Sequence, residues 1–149
     1  MIDDVYNAKI LDFAGNIPRL GSLPDADAEA DAHSKLCGSK VRVWLKMDGD
    51  QVIDFAHDVK ACALGQASSS IMARNVIGAS ASELRQVRRE MLAMLKEGGA
   101  APNGRFADLA FLAPVRDYKA RHASTMLTFD AVVDCLDQIE AGGAGGARN

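Results

Sequence analysis

Hydrophobic and polar residues alternate most regularly in the middle of the chain. Every second position of one segment is apolar: Val41, Val43, Leu45 and Met47. Asp48 and Gly49 then offer a tight turn, after which a second apolar run begins at Val52. Alternation with a period of two residues on both sides of a short turn is typical of a β-hairpin. The pattern therefore predicts two antiparallel strands here.

Apolar residues recur at helical intervals in most of the remaining sequence. The spacing predicts an N-terminal helix over about residues 3–14, with Asp3 and Asp4 in its first turn, and a long loop over 15–33, where Gly and Pro interrupt the pattern. Four further helices are predicted. The first extends from Ala63 to about Ile77, and the second covers about 84–95, with a cap at Ser80 or Ser82 and an end at Gly98. The third covers 106–113 and is closed by Pro114. The fourth extends from about Arg121 to Glu140.

This order of elements predicts an α+β domain with a small antiparallel sheet of about three strands, packed on one face against several helices. A chain of 149 residues has the size of one domain. We expect residues 1–140 to form it and the Gly-rich residues 141–149 to be a disordered tail.

Charge and cysteine content exclude several classes of function and partner. The net charge of -3 gives no broad basic surface for nucleic acid, so we expect no nucleic-acid partner. The first residues are acidic and no apolar run approaches the roughly 20 residues of a bilayer span, so we expect no export and no membrane partner. Three cysteines are an odd number, which favours a reducing cytoplasm over a disulfide framework.

Two of the cysteines lie at the ends of predicted elements. Cys37 precedes the first strand of the hairpin, and Cys62 directly precedes a helix, where unpaired backbone N–H groups favour the thiolate. Each is alternatively a small buried hydrophobic residue. Cys135 lies inside the last predicted helix, so we expect it in the core.

One segment resembles a known family. The string A-C-A-L-G-Q-A-S-S-S-I-M at residues 61–72 is similar to the G-C-A-I-S-x-A-S-x-S signature of the NifU-like N-terminal family, which includes the IscU and SufU iron–sulfur cluster assembly proteins. The N-x-P-R-x-G segment at 16–21, the Cys37-Gly38 pair and V-R-D-Y-K-A-R at 115–121 extend the resemblance to about residues 3–140. The SufU branch is the more similar, because about 60 residues separate Cys62 from the region of the third ligand and Y-K-A-R resembles its Y-P-A-R.

The resemblance implies a SufE/NifU-like α+β fold with a site at the edge of the sheet. It also implies a cysteine desulfurase as partner and iron–sulfur apoproteins as recipients. A transient iron–sulfur cluster or a weakly held zinc ion would be bound by Cys37 and Cys62, and Cys62 would be the catalytic thiol.

The sequence departs from the family at two ligand positions. Ser39 replaces the aspartate of the Cys-Gly-Asp motif, and Ser124 stands where the third cysteine is expected. A hydroxyl is a poor metal ligand near neutral pH. Either serine remains a candidate ligand, and His122 offers an imidazole that could compensate if it turns inward.

Three functions are consistent with these residues. The first is an iron–sulfur cluster assembly scaffold or sulfur acceptor, and the second is a metal-free sulfurtransferase that carries a persulfide on Cys62. The third is a degenerate regulator of the desulfurase. The basic residues Arg116, Lys119 and Arg121 would flank the site and either meet an acidic partner or belong to a solvated stretch.

Overall fold

The three-dimensional structure is a computed structural model that describes residues 7–35 and 38–144. The elements in chain order are α1 (Ala8–Gly15), β1 (Ala28–Ser34), β2 (Ser39–Asp48), β3 (Gln51–Lys60), α2 (Ala63–Asn75), α3 (Ala81–Glu97), two 3-10 segments (Gly104–Asp117 and Lys119–Arg121) and α4 (His122–Ala144). The strands form one antiparallel sheet in the order β1-β2-β3. The predicted α+β class with a small three-stranded sheet is confirmed.

The predicted hairpin is present as β2 and β3. Asp48 pairs with Gln51 across a two-residue turn, in which Gly49 has a φ of 60°. Glycine adopts this left-handed conformation without the clash that a Cβ atom would cause. The buried side chains of β2 are those at alternate positions, which are Ser39, Val41, Val43 and Leu45.

The long loop predicted for residues 15–33 is wrong from Ala28 onward, because β1 occupies that part of the chain. Its inward side chains are small, and it pairs with β2 from Ala28–Leu45 to Ser34–Ser39. Arg42 of β2 binds both Glu29 and Asp31 on the outer face. Pairing with a strong neighbouring strand thus imposes a β conformation on residues of low strand propensity.

Two helix ends differ from the prediction. The helix predicted for about 3–14 is present as α1 but begins at Ala8, where the Asn7 side chain accepts a hydrogen bond from the Ile10 N–H at 3.0 Å. Asp3 and Asp4 lie outside the described residues. α4 continues to Ala144, beyond its predicted end at Glu140. Residues 145–149 lie outside the described part, so the disordered tail stays a prediction.

The region between α3 and α4 also differs from the prediction. α3 begins after a Ser80 cap and ends at Gly98, as predicted. The helix expected over 106–113 is instead a series of 3-10 turns from Gly104 to Asp117, with Pro114 inside them and a break at Phe106. Pro114 therefore does not end this segment.

α2 lies at the centre of the fold. Most of its residues are buried, and it packs against α1, α4, the 3-10 segment and β3. The small side chains of its Ala-Ser-Ser-Ser stretch allow these close approaches. α4 covers β1 and β2, where the Cys135 thiol donates to the Val43 carbonyl at 3.7 Å. No helix in the described part of the chain is both long and apolar enough for a bilayer span.

A buried histidine attaches the N-x-P-R-x-G segment to β3. His57 Nε2 donates to the Pro18 carbonyl at 2.8 Å, and the main chain of His57 is hydrogen-bonded to Arg19 and Gly21. Burial lowers the pKa of His57, so the ring stays neutral near pH 7. The segment is thereby fixed beside the strand that leads to Cys62.

Candidate functional site

The end of the hairpin and the start of α2 place Cys62 at a junction of three elements. Cys62 is the N-cap residue of α2, with a φ of -67° and a ψ of 173°. Its side chain makes no capping hydrogen bond to the helix. The thiol instead donates to the Ser124 hydroxyl at the start of α4, with Sγ 3.5 Å from Oγ.

Ser39 and Ser124 place two buried hydroxyls beside Cys62, and we call this pair the hydroxyl floor. The Cys62 N–H donates to Ser39 Oγ at 3.3 Å, and Ser124 Oγ donates to the Arg121 carbonyl at 3.1 Å. Both serines are buried, at 2% and 0% exposure, whereas Cys62 is half-buried. Cys62 is therefore the residue of this group that solvent or a partner reaches.

A glycine in the first turn of α2 allows α4 to come this close. A Cβ atom on Gly65 would lie 2.7 Å from the Ala61 Cβ and 3.1 Å from the Ser124 carbonyl oxygen. Both distances are shorter than ordinary van der Waals contact, so only glycine fits without displacement. The sequence interpretation overlooked Gly65, and its signal was a glycine within a helical segment, where the cost in helix propensity requires a packing reason.

The loop before Cys62 is fixed by Gln66. Its side-chain amide donates to the Ala61 carbonyl at 2.9 Å, and its backbone N–H donates to the Cys62 carbonyl at 2.9 Å. The backbone that carries the thiol is thus held by hydrogen bonds from Gln66.

His122 is directed toward the 3-10 segment. Its Nε2 lies 3.0 Å from the Val115 carbonyl and 3.1 Å from the Arg116 carbonyl, so Nε2 carries the proton. His122 precedes Ser124 by two residues, and side chains at that spacing point to different sides of a helix. The structure gives His122 no hydrogen bond to Cys62, and the inward rotation considered from the sequence is not observed.

Neither Cys37 nor Cys135 belongs to the described part of the site. Cys37 lies outside the described residues, so its predicted place beside Cys62 stays a prediction. Cys135 is fully buried in the core, as predicted, and burial raises its pKa to about 12. It is therefore inert near neutral pH.

The donors in the described part of the site do not suit a resident metal ion. They are one thiol and two hydroxyls, whereas zinc sites in proteins use four ligands from Cys, His, Asp or Glu. Within residues 7–35 and 38–144, no three such side chains form a group that could hold a metal. We therefore derive no chemical step through a bound metal.

We expect Cys62 to react with iodoacetamide in the native protein much faster than Cys135. Burial blocks access to Cys135, and a pKa of about 12 leaves about one thiol in ten thousand ionised at a pH of about 8. Peptide mass mapping after a time course measures both rates. Equal native rates, or labelling of Cys135 without unfolding, would contradict this assignment of the accessible thiol.

Comparison with known proteins identifies the family. The family model described as NifU-like N terminal domain matches residues 5–125. The chain belongs to the NifU-like N-terminal family. A crystal structure of a nitrogen-fixing NifU-like protein (N-terminal) from Brucella abortus superposes with a TM-score of 0.93 at 68% identity, covering 94% of this chain and 97% of that one.

Two curated relatives of this NifU-like chain have names that state a function. The iron-sulfur cluster assembly scaffold protein IscU of Thermotoga maritima is 25% identical over 135 residues, which are 91% of this chain and 94% of the relative. The zinc-dependent sulfurtransferase SufU of Bacillus subtilis is 24% identical over 141 residues, or 95% of each chain. The resemblance inferred from residues 61–72 is therefore confirmed at the level of the family.

Proposed function

We propose that this NifU-like chain acts in iron–sulfur cluster assembly and that Cys62 accepts sulfur from a cysteine desulfurase. The observation that carries the proposal is the half-buried residue Cys62 beside two buried hydroxyls, which occupy positions where the family has metal ligands. One accessible thiol on a fixed backbone is sufficient for sulfur transfer. The family supplies the reaction class, because one relative is named a sulfurtransferase and another a cluster scaffold.

The transfer is balanced without an external oxidant. The Cys62 thiolate attacks the terminal sulfur of the desulfurase persulfide, so a new S–S bond forms on Cys62. The old S–S bond breaks, and its electron pair leaves on the desulfurase cysteine as a thiolate. When Cys62 is ionised, the Ser124 hydroxyl, 3.5 Å from the sulfur, can donate to the thiolate by turning its single proton away from the Arg121 carbonyl. Recipient iron–sulfur apoproteins would receive the sulfur next.

A scaffold role is the second candidate function. Its support is that the chain keeps two family cysteines, Cys37 and Cys62, and that IscU relatives are named scaffolds. A cluster held by these thiolates, with His122, Ser39 or Ser124 as further ligands, would be labile. The free thiols of Cys62 and Cys135 fit the reducing conditions of the cytoplasm, where we place either activity.

Radiolabelled cysteine tests the proposal directly. The purified chain is incubated with its cysteine desulfurase and the labelled substrate, and protein-bound label is measured on non-reducing gels. We expect label on the parent, background label on Cys62→Ser, and parent-like label on Cys135→Ala, which removes a thiol far from the site.

Two results would contradict sulfur acceptance at Cys62. The first is equal labelling of the parent and Cys62→Ser. The second is an unlabelled parent that nevertheless changes the turnover of the desulfurase, which would favour the regulatory function. If Cys37→Ser also loses all label, both family thiols are needed and the scaffold function is favoured.

A further inference from the structure

Three cationic side chains lie in the segments that adjoin Cys62. Lys60 ends β3, two residues before the thiol, and Lys119 and Arg121 belong to the short 3-10 segment that leads into α4. Arg121 is connected to the site through its carbonyl, which accepts the Ser124 hydroxyl that the Cys62 thiol contacts. We call these three residues the cationic rim; the nearby Arg116 is not part of it, because its guanidinium lies beside Gly98 at the end of α3.

The rim side chains have no ion-pair partner among the described residues, in contrast to most other cations of the sheet and helices. Arg42 and Arg85 each bind two carboxylates, and Arg105 binds Glu83. Within the described residues no rim side chain forms an ion pair or a hydrogen bond. Lys60 and Lys119 are exposed, and Arg121 is half-buried.

The charge of the rim is opposite to that of the protein. The whole chain has a net charge of -3, yet residues 116–121 carry three cations and a single carboxylate, Asp117. Asp58 is the nearest carboxylate along β3, and it lies opposite Arg42 in the sheet. An overall acidic protein that keeps unpaired cations in the segments adjoining its accessible thiol presents a local positive field at that surface.

We infer that the cationic rim is the docking surface for an acidic patch of the protein that delivers sulfur to Cys62. The inference depends on the proposed function for the identity of the donor. Sulfur transfer requires two cysteine sulfurs to meet, so the donor must cover the surface next to Cys62. Unpaired cations at that surface steer an acidic partner and orient it, whereas the acidic remainder of the chain repels it. The same remainder disfavours a polynucleotide as occupant.

Reversing charges in the rim and, separately, elsewhere on the surface distinguishes docking at the rim from the effect of a changed net charge. The test variant is Lys119→Glu with Arg121→Glu, which leaves the Arg121 backbone carbonyl and its hydrogen bond to Ser124 in place. The matched control is Arg89→Glu with Lys96→Glu, which makes the same charge change at two exposed positions of α3. Both sets are made in Cys62→Ser as well as in the parent.

Binding of the desulfurase to the Cys62→Ser chains is measured first, because it needs no sulfur transfer. We expect the rim variant to raise Kd about tenfold or more and the control to stay near the parent. The parent affinity should fall with added NaCl, and that of the rim variant should fall less steeply. Equal Kd values for the rim variant and the control would overturn the inference, as would tighter binding of an oligonucleotide than of the desulfurase.

Sulfur transfer in the Cys62-containing chains is measured second. The rim variant should raise KM for the chain as acceptor and leave kcat close to that of the parent, while iodoacetamide still alkylates Cys62. A fall in kcat at unchanged KM would also overturn the inference. If no chain accepts sulfur although the rim variant binds more weakly, the proposed function fails and the docking surface stands.

Discussion

Replacing Ser39 with Asp and Ser124 with Cys should raise the zinc affinity of the chain by orders of magnitude. Two thiolates on one tetrahedral zinc ion, at Zn–S distances of about 2.3 Å, lie about 3.8 Å apart. Cys62 Sγ and Ser124 Oγ are already 3.5 Å apart, so a thiol at position 124 needs little movement to share an ion with Cys62. The aspartate adds a carboxylate next to the Cys62 backbone, where Ser39 Oγ now lies.

Competition with a chromophoric chelator measures this gain. We expect the double variant to retain zinc that the parent loses, and its Tm to rise with zinc concentration because only the folded state binds tightly. Cys62→Ser in the double variant is the control and should remove the gain. A double variant that binds zinc no better than the parent would show that the hydroxyl floor does not occupy the ligand positions.

The parts of the fold that the sequence predicted are those in which local pattern and tertiary environment agree. β2 and β3 alternate apolar and polar residues, and their turn contains the glycine that its left-handed φ requires. β1 lacks such a signal, because its inward residues are alanines and its outward ones are charged. Its conformation depends on pairing with β2 and on Arg42, which are contacts between residues distant in sequence.

The sequence likewise predicted some residues of the candidate site correctly and missed the orientation of another. The resemblance placed Ser39 and Ser124 at ligand positions, and the structure brings both beside Cys62. The direction of His122 was not predictable, because it depends on the Val115 and Arg116 carbonyls of a 3-10 segment that continues past Pro114, where the sequence predicted the helix to end.

Substituting Gly65 with Ala should destabilise the protein even though alanine is the better helix former. Helix propensity alone would stabilise the variant by about 1 kcal/mol. The new methyl group, however, would lie 2.7 Å from the Ala61 Cβ and 3.1 Å from the Ser124 carbonyl oxygen. Overpacking against neighbours that cannot rotate away costs about 1–3 kcal/mol. We therefore expect a net loss of up to about 2 kcal/mol in the free energy of unfolding.

Gly15→Ala is the matched control, because Gly15 is the last residue of α1 and no atom lies within 4 Å of the position that its new methyl group would take. Chemical denaturation of both variants should show a loss for Gly65→Ala and no loss for Gly15→Ala. The displaced α4 should also open the contact between Cys62 and Ser124, so Cys62 should be alkylated faster in the Gly65 variant. If neither the free energy of unfolding nor the alkylation rate of Cys62 changed, α2 and α4 would accommodate the added methyl group without moving apart. The hydroxyl floor would then not depend on the close approach that Gly65 permits.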